Sequence, residues 1–287
     1  MNALANSIAD KEAALIEILQ QLDSVIVAYS GGVDSSLLAY YARRVLGTAA
    51  RIVIAVSPSL AVDELHDARA QAELFNFDLI EIKTDEVDSE EYRANDSMRC
   101  YFCKSTLFAV LANMQMELQI SAIAYGANQD DLNDYRPGHQ AAKQYGVVAP
   151  LLDAGMTKED IRILAERACL PSWNRPQAAC LSSRFAQLTY ITPSRLALID
   201  KLEQAVRGFD FRQVRVRYLS EDDSARVSIE VGTDEVFRLN DNERLRGELQ
   251  DKIRAIAAAD NARLTQVSID PQGYAQGKSL AKVENKG

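Results

Sequence analysis

The chain has 287 residues, enough for one large or two modest domains, and its 47% hydrophobic and 25% charged content is that of a globular protein. A net charge of −9 disfavours the broad basic face with which nucleic-acid binders neutralise phosphates. Residues 1–23 are amphipathic, no apolar run has bilayer length, and four cysteines make no disulfide framework in a chain this long, so a cytoplasmic protein with no membrane partner is expected.

Leu4, Ile8, Leu15, Ile18, Leu19 and Leu22 recur at helical spacing and predict a first helix packed on a core. The apolar run 25–29 reads as a strand. A glycine-containing turn follows, then a helix to about residue 46. Next come a strand at 52–56, a helix over 62–75, a strand at 79–82, a helix running to about 118 and a strand at 120–125. Short apolar strands alternating with helices predict an α/β fold, a doubly wound parallel sheet covered on both faces. Ligands in such sheets lie beyond the carboxyl ends of the strands, where the segments after Tyr29, Val56 and Tyr125 converge. A helix over 157–168 and a long irregular stretch over 171–192 follow; connections of that length are commonly functional. Beyond Pro193 the pattern is helix 194–208, alternating runs around Val214–Val216–Tyr218 and Val227–Ile229–Val231, a short helix near Asp234, a helix over 242–258 and a strand at 264–269. That order describes a small α+β domain with an antiparallel hairpin turning at 220–225. The organisation expected is a nucleotide domain over 1–170, a connector over 171–192 and a second domain over 193–287.

The first strand leads into Ser30-Gly31-Gly32-Val33-Asp34-Ser35-Ser36. Strand, glycine turn and helix start in that order make an anion site. The glycines let backbone N–H groups converge, the helix N-terminus adds positive potential, and Ser30, Ser35 and Ser36 bring hydroxyls. No Gly-Lys-Ser/Thr follows, so this is not the common P-loop. The SGGxDSS pattern resembles the pyrophosphate loop of the ATP pyrophosphatases; an ordinary strand–turn–helix corner is the plain alternative. Asp34 beside polyphosphate implies a bridging Mg²⁺ ion, while an N-cap role is compatible with it. After the fourth strand, Gly126 permits close approach of a ligand and Asn128 offers hydrogen bonds to the nucleotide (ATP) or to the substrate. Asp130, Asp131 and Asp134 are further acids there, or simply part of a self-capping loop.

Cys100 and Cys103 form C-x-x-C, half of a zinc site, a redox pair or part of an iron–sulfur site. Cys180 lies in the irregular connector, and three thiolates meeting there would hold a 4Fe–4S cluster with one open iron able to carry sulfide. Cys169 reads as a packed core residue. Only two histidines occur, which argues against a serine–histidine pair or a histidine-rich zinc site: His66 reads as solvated and His139 as a loop residue. Arg215 and Arg217 share one strand face, with Arg226 and Glu230 expected opposite. They read as an anion site or as a solvated outer face. Glu203 lies within an apolar helical stripe and reads as a semi-buried carboxylate.

Taken in order, SGGVDSS, RCYFCK, GANQDDLNDYRPG, PSWNRPQAACLSSR, QVRVRY and IEVG resemble the LarE family of the PP-loop superfamily. Those ATP-dependent sulfur transferases build the nickel-pincer nucleotide of lactate racemase. The resemblance runs from Asp23 to about Asp270. It implies adenylation of a carboxylate on pyridinium-3,5-biscarboxylic acid mononucleotide, followed by displacement of AMP by sulfur. It makes Cys180 the sulfur-delivering position and, with Cys100 and Cys103, implies the three-cysteine, 4Fe–4S branch, fed by sulfide or another sulfur donor. It implies Ser183, Arg184, Arg215 and Arg217 at the substrate, Glu203, Glu230 and Asp234 at a divalent metal, and a homo-oligomer. The rivals are a tRNA thiolase or an amidating synthetase of the same superfamily, and a non-catalytic nucleotide sensor.

Overall fold

The computed structural model describes residues 7–133, 137–176, 179–221 and 224–274. It contains two compact units, one formed by 1–86 with 98–178, the other by 87–97 with 179–287. In chain order the elements are α1 (Ile8–Gln20), β1 (Val25–Tyr29), α2 (Val33–Leu46), β2 (Ala50–Val56), α3 (Val62–Leu74), β3 (Leu79–Lys83), α4 (Glu90–Arg93), α5 (Arg99–Leu118), β4 (Ala122–Tyr125), α6 (Pro137–Gln144), α7 (Pro150–Asp153), α8 (Lys158–Arg167), α9 (Pro193–Arg207), β5 (Val214–Glu221), β6 (Ser224–Val231), α10 (Phe237–Asn240), α11 (Glu243–Ala259) and β7 (Leu264–Ile269).

In the first unit the strands lie in the order β3-β2-β1-β4, all parallel. The strands are apolar on both sides because both sides are covered. Val25, Val27, Tyr29, Ile52 and Ile54 face one core with Leu15, Leu19, Leu37, Leu38, Ile161 and Leu164. Ile26, Val53 and Ile123 face the other with Phe108, Leu111, Ala141 and Ala142. Each fully buried leucine or isoleucine contributes about 1.5–3 kcal/mol to folding. Capping boxes start two of the helices, Ser7 with Asp10 on α1 and Thr157 with Asp160 on α8. Lys11 Nζ joins these two helices by a 2.6 Å bond to Asp160 Oδ2. Burial alone would raise the Asp160 pKa; Lys11 and Thr157 outweigh it and hold the carboxyl below its ordinary value.

The doubly wound sheet matches the sequence expectation; α6 and α7 do not appear in it. α6 buries only Pro137, Ala141 and Ala142, so it presents almost no apolar stripe, and α7 is a single turn opened by Pro150. His139 is therefore helical rather than a loop residue, and its Nδ1 lies 2.7 Å from the Tyr125 hydroxyl. Cys169 also departs from expectation: it is exposed, not packed. It stands just past α8 with a left-handed backbone (φ 57°), and the Leu170 N–H reaches back 2.9 Å to the Ala165 carbonyl, the helix-ending motif in which glycine is usual.

In the second unit the sheet order is β5-β6-β7, with β5 antiparallel and β7 parallel to β6. Val214, Val216, Tyr218, Val227, Ile229 and Val231 are buried, with Leu196, Ile199, Leu202 and Val206 of α9 and Leu249 and Ile253 of α11. No described helix is long and apolar enough to cross a membrane.

Candidate active site and cysteine-bearing turn

Sheet order puts β1 at the centre, with β2 on one side and β4 on the other, so the connections reverse direction at the end of β1. Ser30 to Ser36 occupy that point. Gly31 has φ 76°, and a Cβ there would stand 2.9 Å from Ala68 Cβ, so glycine is required both for conformation and for space. Gly32 is the N-cap of α2 and contributes no side-chain cap; the first intrahelical bond runs from Ser36 N–H to Gly32 O at 2.9 Å. The N–H groups of Val33, Asp34 and Ser35 therefore have no acceptor within the helix and point out of its positive end.

The serines divide their work. Ser35 Oγ accepts from Ser30 N–H at 3.1 Å, meets Ser30 Oγ at 3.0 Å and donates to Gly32 O at 3.1 Å, closing the loop on itself. Ser36 is fully buried, and its hydroxyl accepts from Gln71 Nε2 at 2.6 Å, which braces the loop from the core side. Gln71 also donates to the Tyr29 hydroxyl at 2.8 Å and accepts from Ser172 N–H at 3.1 Å. One buried amide thus ties β1, α2 and the stretch after α8 together.

Asp34 is the second residue of α2, so it acts in the first turn and not as the N-cap. Its Oδ1 accepts from Asn128 Nδ2 at 3.2 Å and its Oδ2 is paired with Lys158 Nζ. Lys158 carried no motif in the sequence; only the long-range turn before α8 brings it here, with 30% of its side chain exposed. Gly126 packs where a Cβ would lie 2.8 Å from Ser35 N and 3.0 Å from Asp34 C. Asn128 is buried, and its Oδ1 accepts from Asp130 N–H at 3.0 Å. Asp130 Oδ2 accepts from Lys158 N–H at 2.7 Å, and Asp131 Oδ2 accepts from Asn128 N–H at 3.1 Å. The segments after β1 and β4 and the start of α8 thus form one polar cluster at the strand ends. Asp134 lies outside the described residues.

Cys100 and Cys103 sit one turn apart near the start of α5, the first exposed and the second half-buried. An Arg99 guanidinium nitrogen is 4.0 Å from Cys100 Sγ. Gly138 at the start of α6 packs on this turn: a Cβ there would meet Lys104 Cγ at 3.1 Å. The Tyr125 hydroxyl that meets His139 Nδ1 at 2.7 Å is pushed up to about 12 by burial and by the nearby Asp131 and Asp153 carboxylates.

In the second unit Cys180 is exposed and precedes a short 3₁₀ turn over Leu181–Arg184. That turn runs along the outer edge of β5, where Phe185 bridges to Tyr218 and Ala186 N–H donates to Tyr218 O at 3.2 Å. Arg184 is 2% exposed and forks onto Glu203, Nε to Oε1 at 2.9 Å and an Nη to Oε2 at 3.1 Å. Glu203 is fully buried, accepts from Val216 N–H at 3.0 Å and receives Arg207 at 3.3 Å. Burial alone would raise its pKa, but the Arg184 guanidinium, with Arg215 and the Val216 N–H, outweighs burial and holds it below the ordinary value. Arg215 and Arg217 share a face opposite Glu230 and Ser228, as the strand period requires, and both are buried, which overturns a solvated outer face. Arg217 Nε donates to Glu230 Oε2 at 3.0 Å. The Tyr274 ring lies 5.1 Å from the Arg215 guanidinium and 5.9 Å from that of Arg217. Asp234 pairs with Arg212 at 2.5 Å. Among the described residues no three His, Cys, Asp or Glu side chains group as a metal site. Glu203, Glu230 and Asp234 are each held by arginine instead.

A family model described as NAD synthase matches residues 9–131, the stretch that carries the loop and the C-x-x-C. An uncharacterised protein of Synechocystis is 39% identical over 264 residues, covering 92% of this chain and 94% of that one. The pyridinium-3,5-bisthiocarboxylic acid mononucleotide synthase of Lactiplantibacillus plantarum is 31% identical over 224 residues, covering 78% of this chain and 80% of that protein. This chain belongs to that synthase's family. It is an ATP-using enzyme of the PP-loop type, the LarE-like sulfur transferases. An uncharacterised protein of Methanocaldococcus jannaschii, 30% identical over 193 residues with 67% and 73% coverage, is a further relative.

Proposed function

We propose that this enzyme converts carboxylates of pyridinium-3,5-biscarboxylic acid mononucleotide to thiocarboxylates, forming AMP and pyrophosphate from ATP. The observation that carries the reading is the loop over Ser30 to Ser36, with unsatisfied first-turn N–H groups beside Asp34 and Lys158, in a chain of this family. A carboxylate oxygen is a poor leaving group. In the proposed first step it attacks the α-phosphorus of ATP; the bond to the bridging oxygen breaks and pyrophosphate departs. The N–H groups of Val33, Asp34 and Ser35 are aimed at the charge that builds on the phosphates. Lys158 supplies three N–H donors and a positive charge there. Asp34, a carboxylate at the loop, fits a Mg²⁺ ion's preference for oxygen ligands and would hold it against the phosphates.

In the second step sulfur attacks the acyl carbon, the bond to the AMP oxygen breaks and AMP leaves with its electron pair. Cys180 would deliver that sulfur. The resemblance to the three-cysteine branch gives Cys100, Cys103 and Cys180 as the residues that would hold a 4Fe–4S cluster. When bound, such a cluster supplies an open iron that carries sulfide. Ser183 and Arg215 would lie at the substrate, with Arg215 at its phosphate. The enzyme would act in the cytoplasm as a homo-oligomer, taking sulfide or another small sulfur donor. Anaerobic preparation followed by iron and sulfide analysis tests the cluster: iron and sulfide bound in wild type and lost in Cys180→Ser are expected. Iron-free protein with full thiolation after reconstitution removes the cluster from the scheme.

A further inference from the structure

Arg184 does more than neutralise Glu203. While Nε and one Nη grip the two carboxylate oxygens, the other Nη donates to the Cys180 carbonyl at 3.0 Å and to Ser183 Oγ at 3.1 Å. Ser183 N–H donates to the same Cys180 carbonyl at 2.9 Å. From the other side, Arg217 donates to the Ser183 carbonyl at 3.0 Å while its Nε holds Glu230. Two buried ion pairs thus end on the backbone of the four-residue turn that begins at the exposed cysteine. A planar fork is suited to this, because it fixes three directions at once, which an ammonium does not.

From this geometry we infer that Glu203, through Arg184, and Glu230, through Arg217, are positioning residues for Cys180. They set where the sulfur-bearing side chain stands, and their primary task is neither binding a metal nor binding substrate. The inference rests on the reading of Cys180 as the sulfur-delivering residue. It explains why two carboxylates lie buried against β5: each aligns a guanidinium whose remaining donors hold the turn. Residues that position a reacting group act on the rate of its step more than on substrate affinity.

The test is amide hydrogen exchange of peptides spanning 181–186 in wild type, Glu203→Gln and Arg184→Lys, with steady-state thiolation kinetics on each. Exchange at least tenfold faster in both variants, a tenfold or greater fall in kcat and a KM for the mononucleotide within twofold of wild type are expected. Arg184→Lys keeps the charge, so if it matches wild type in exchange and kcat, the pair is only a charge neutraliser and the inference is overturned. Unchanged exchange in both variants overturns it equally. Should Glu203→Gln unfold the second unit, peptides over Glu243–Ala259 speed up together with the turn, and Arg184→Lys then carries the test alone. Cys180→Ser separates the two layers: full thiolation in that variant sinks the sulfur-delivery reading, whereas lost thiolation with unmoved exchange in Arg184→Lys sinks the positioning role only.

Discussion

The phosphate loop and the cysteine turn are both short segments that hold a reactive position, and they are built from opposite materials. The loop at Ser30 to Ser36 is backbone: two glycines, a helix end and serines bonded to their own neighbours. The turn at Cys180 is fixed by charged side chains, each nine-tenths or more buried, that arrive from α9, β5 and β6. A backbone cradle tolerates changes in side chains but not an added Cβ. A lattice of buried charges tolerates added volume poorly too, and fails most severely when one partner is removed, because the other stays behind uncompensated.

The sharpest way to break this contrast is Glu203→Ala. It strands Arg184 in the interior and should cost about 3–5 kcal/mol of stability, read from the urea midpoint. A loss under about 1 kcal/mol, typical of exposed pairs, would mean that the lattice is not what holds the turn. Next is Lys158→Ala, expected to slow pyrophosphate release by about 10²-fold, the scale of losing one preorganised donor, with little change in stability. An unchanged rate would remove Lys158 from the phosphate cluster.

Acid provides a graded version of the first experiment. The folded Glu203 carboxyl titrates below its unfolded value of about 4.3, so as pH falls the unfolded chain takes up the proton first. The stabilisation it provides is full above that value and is lost as pH falls through the depressed folded pKa. Acid unfolding in Glu203→Gln should therefore be shallower than in wild type; identical acid profiles would contradict the pairing. The smallest effect concerns Cys169. Glycine at its left-handed position should stabilise the protein by about 1 kcal/mol or less and leave thiolation unaffected. A loss of activity in Cys169→Gly would bring that thiol into the chemistry.

Most of the first unit was legible because its signals are local. Apolar runs at β1 and β2, the two glycines and the α2 stripe each speak within a few residues, and the parallel sheet follows from their alternation. α6 was not legible, since alanines bury its face without an apolar stripe, and Cys169 misled because a buried-looking neighbour, Leu170, follows a residue whose backbone role is to end a helix. The residues that complete the sites were hidden for one reason: their partners are distant in sequence. Lys158 meets Asp34, Gln71 meets Ser36 and Ser172, and the Tyr92 hydroxyl meets Ser182 Oγ at 2.5 Å, and no spacing rule announces such pairs. Glu203 and Arg217 were visible as unusual charges among apolar positions, but the turn they hold was not.

The most direct measurement is mass spectrometry of the pyridinium mononucleotide after anaerobic incubation with enzyme, ATP, Mg²⁺ and sulfide, in wild type and in Cys180→Ser. Replacement of carboxylate oxygen by sulfur in wild type, matched by pyrophosphate and AMP and absent from Cys180→Ser, is the predicted result. Pyrophosphate release with no sulfur in the nucleotide, or equal thiolation by Cys180→Ser, would contradict it.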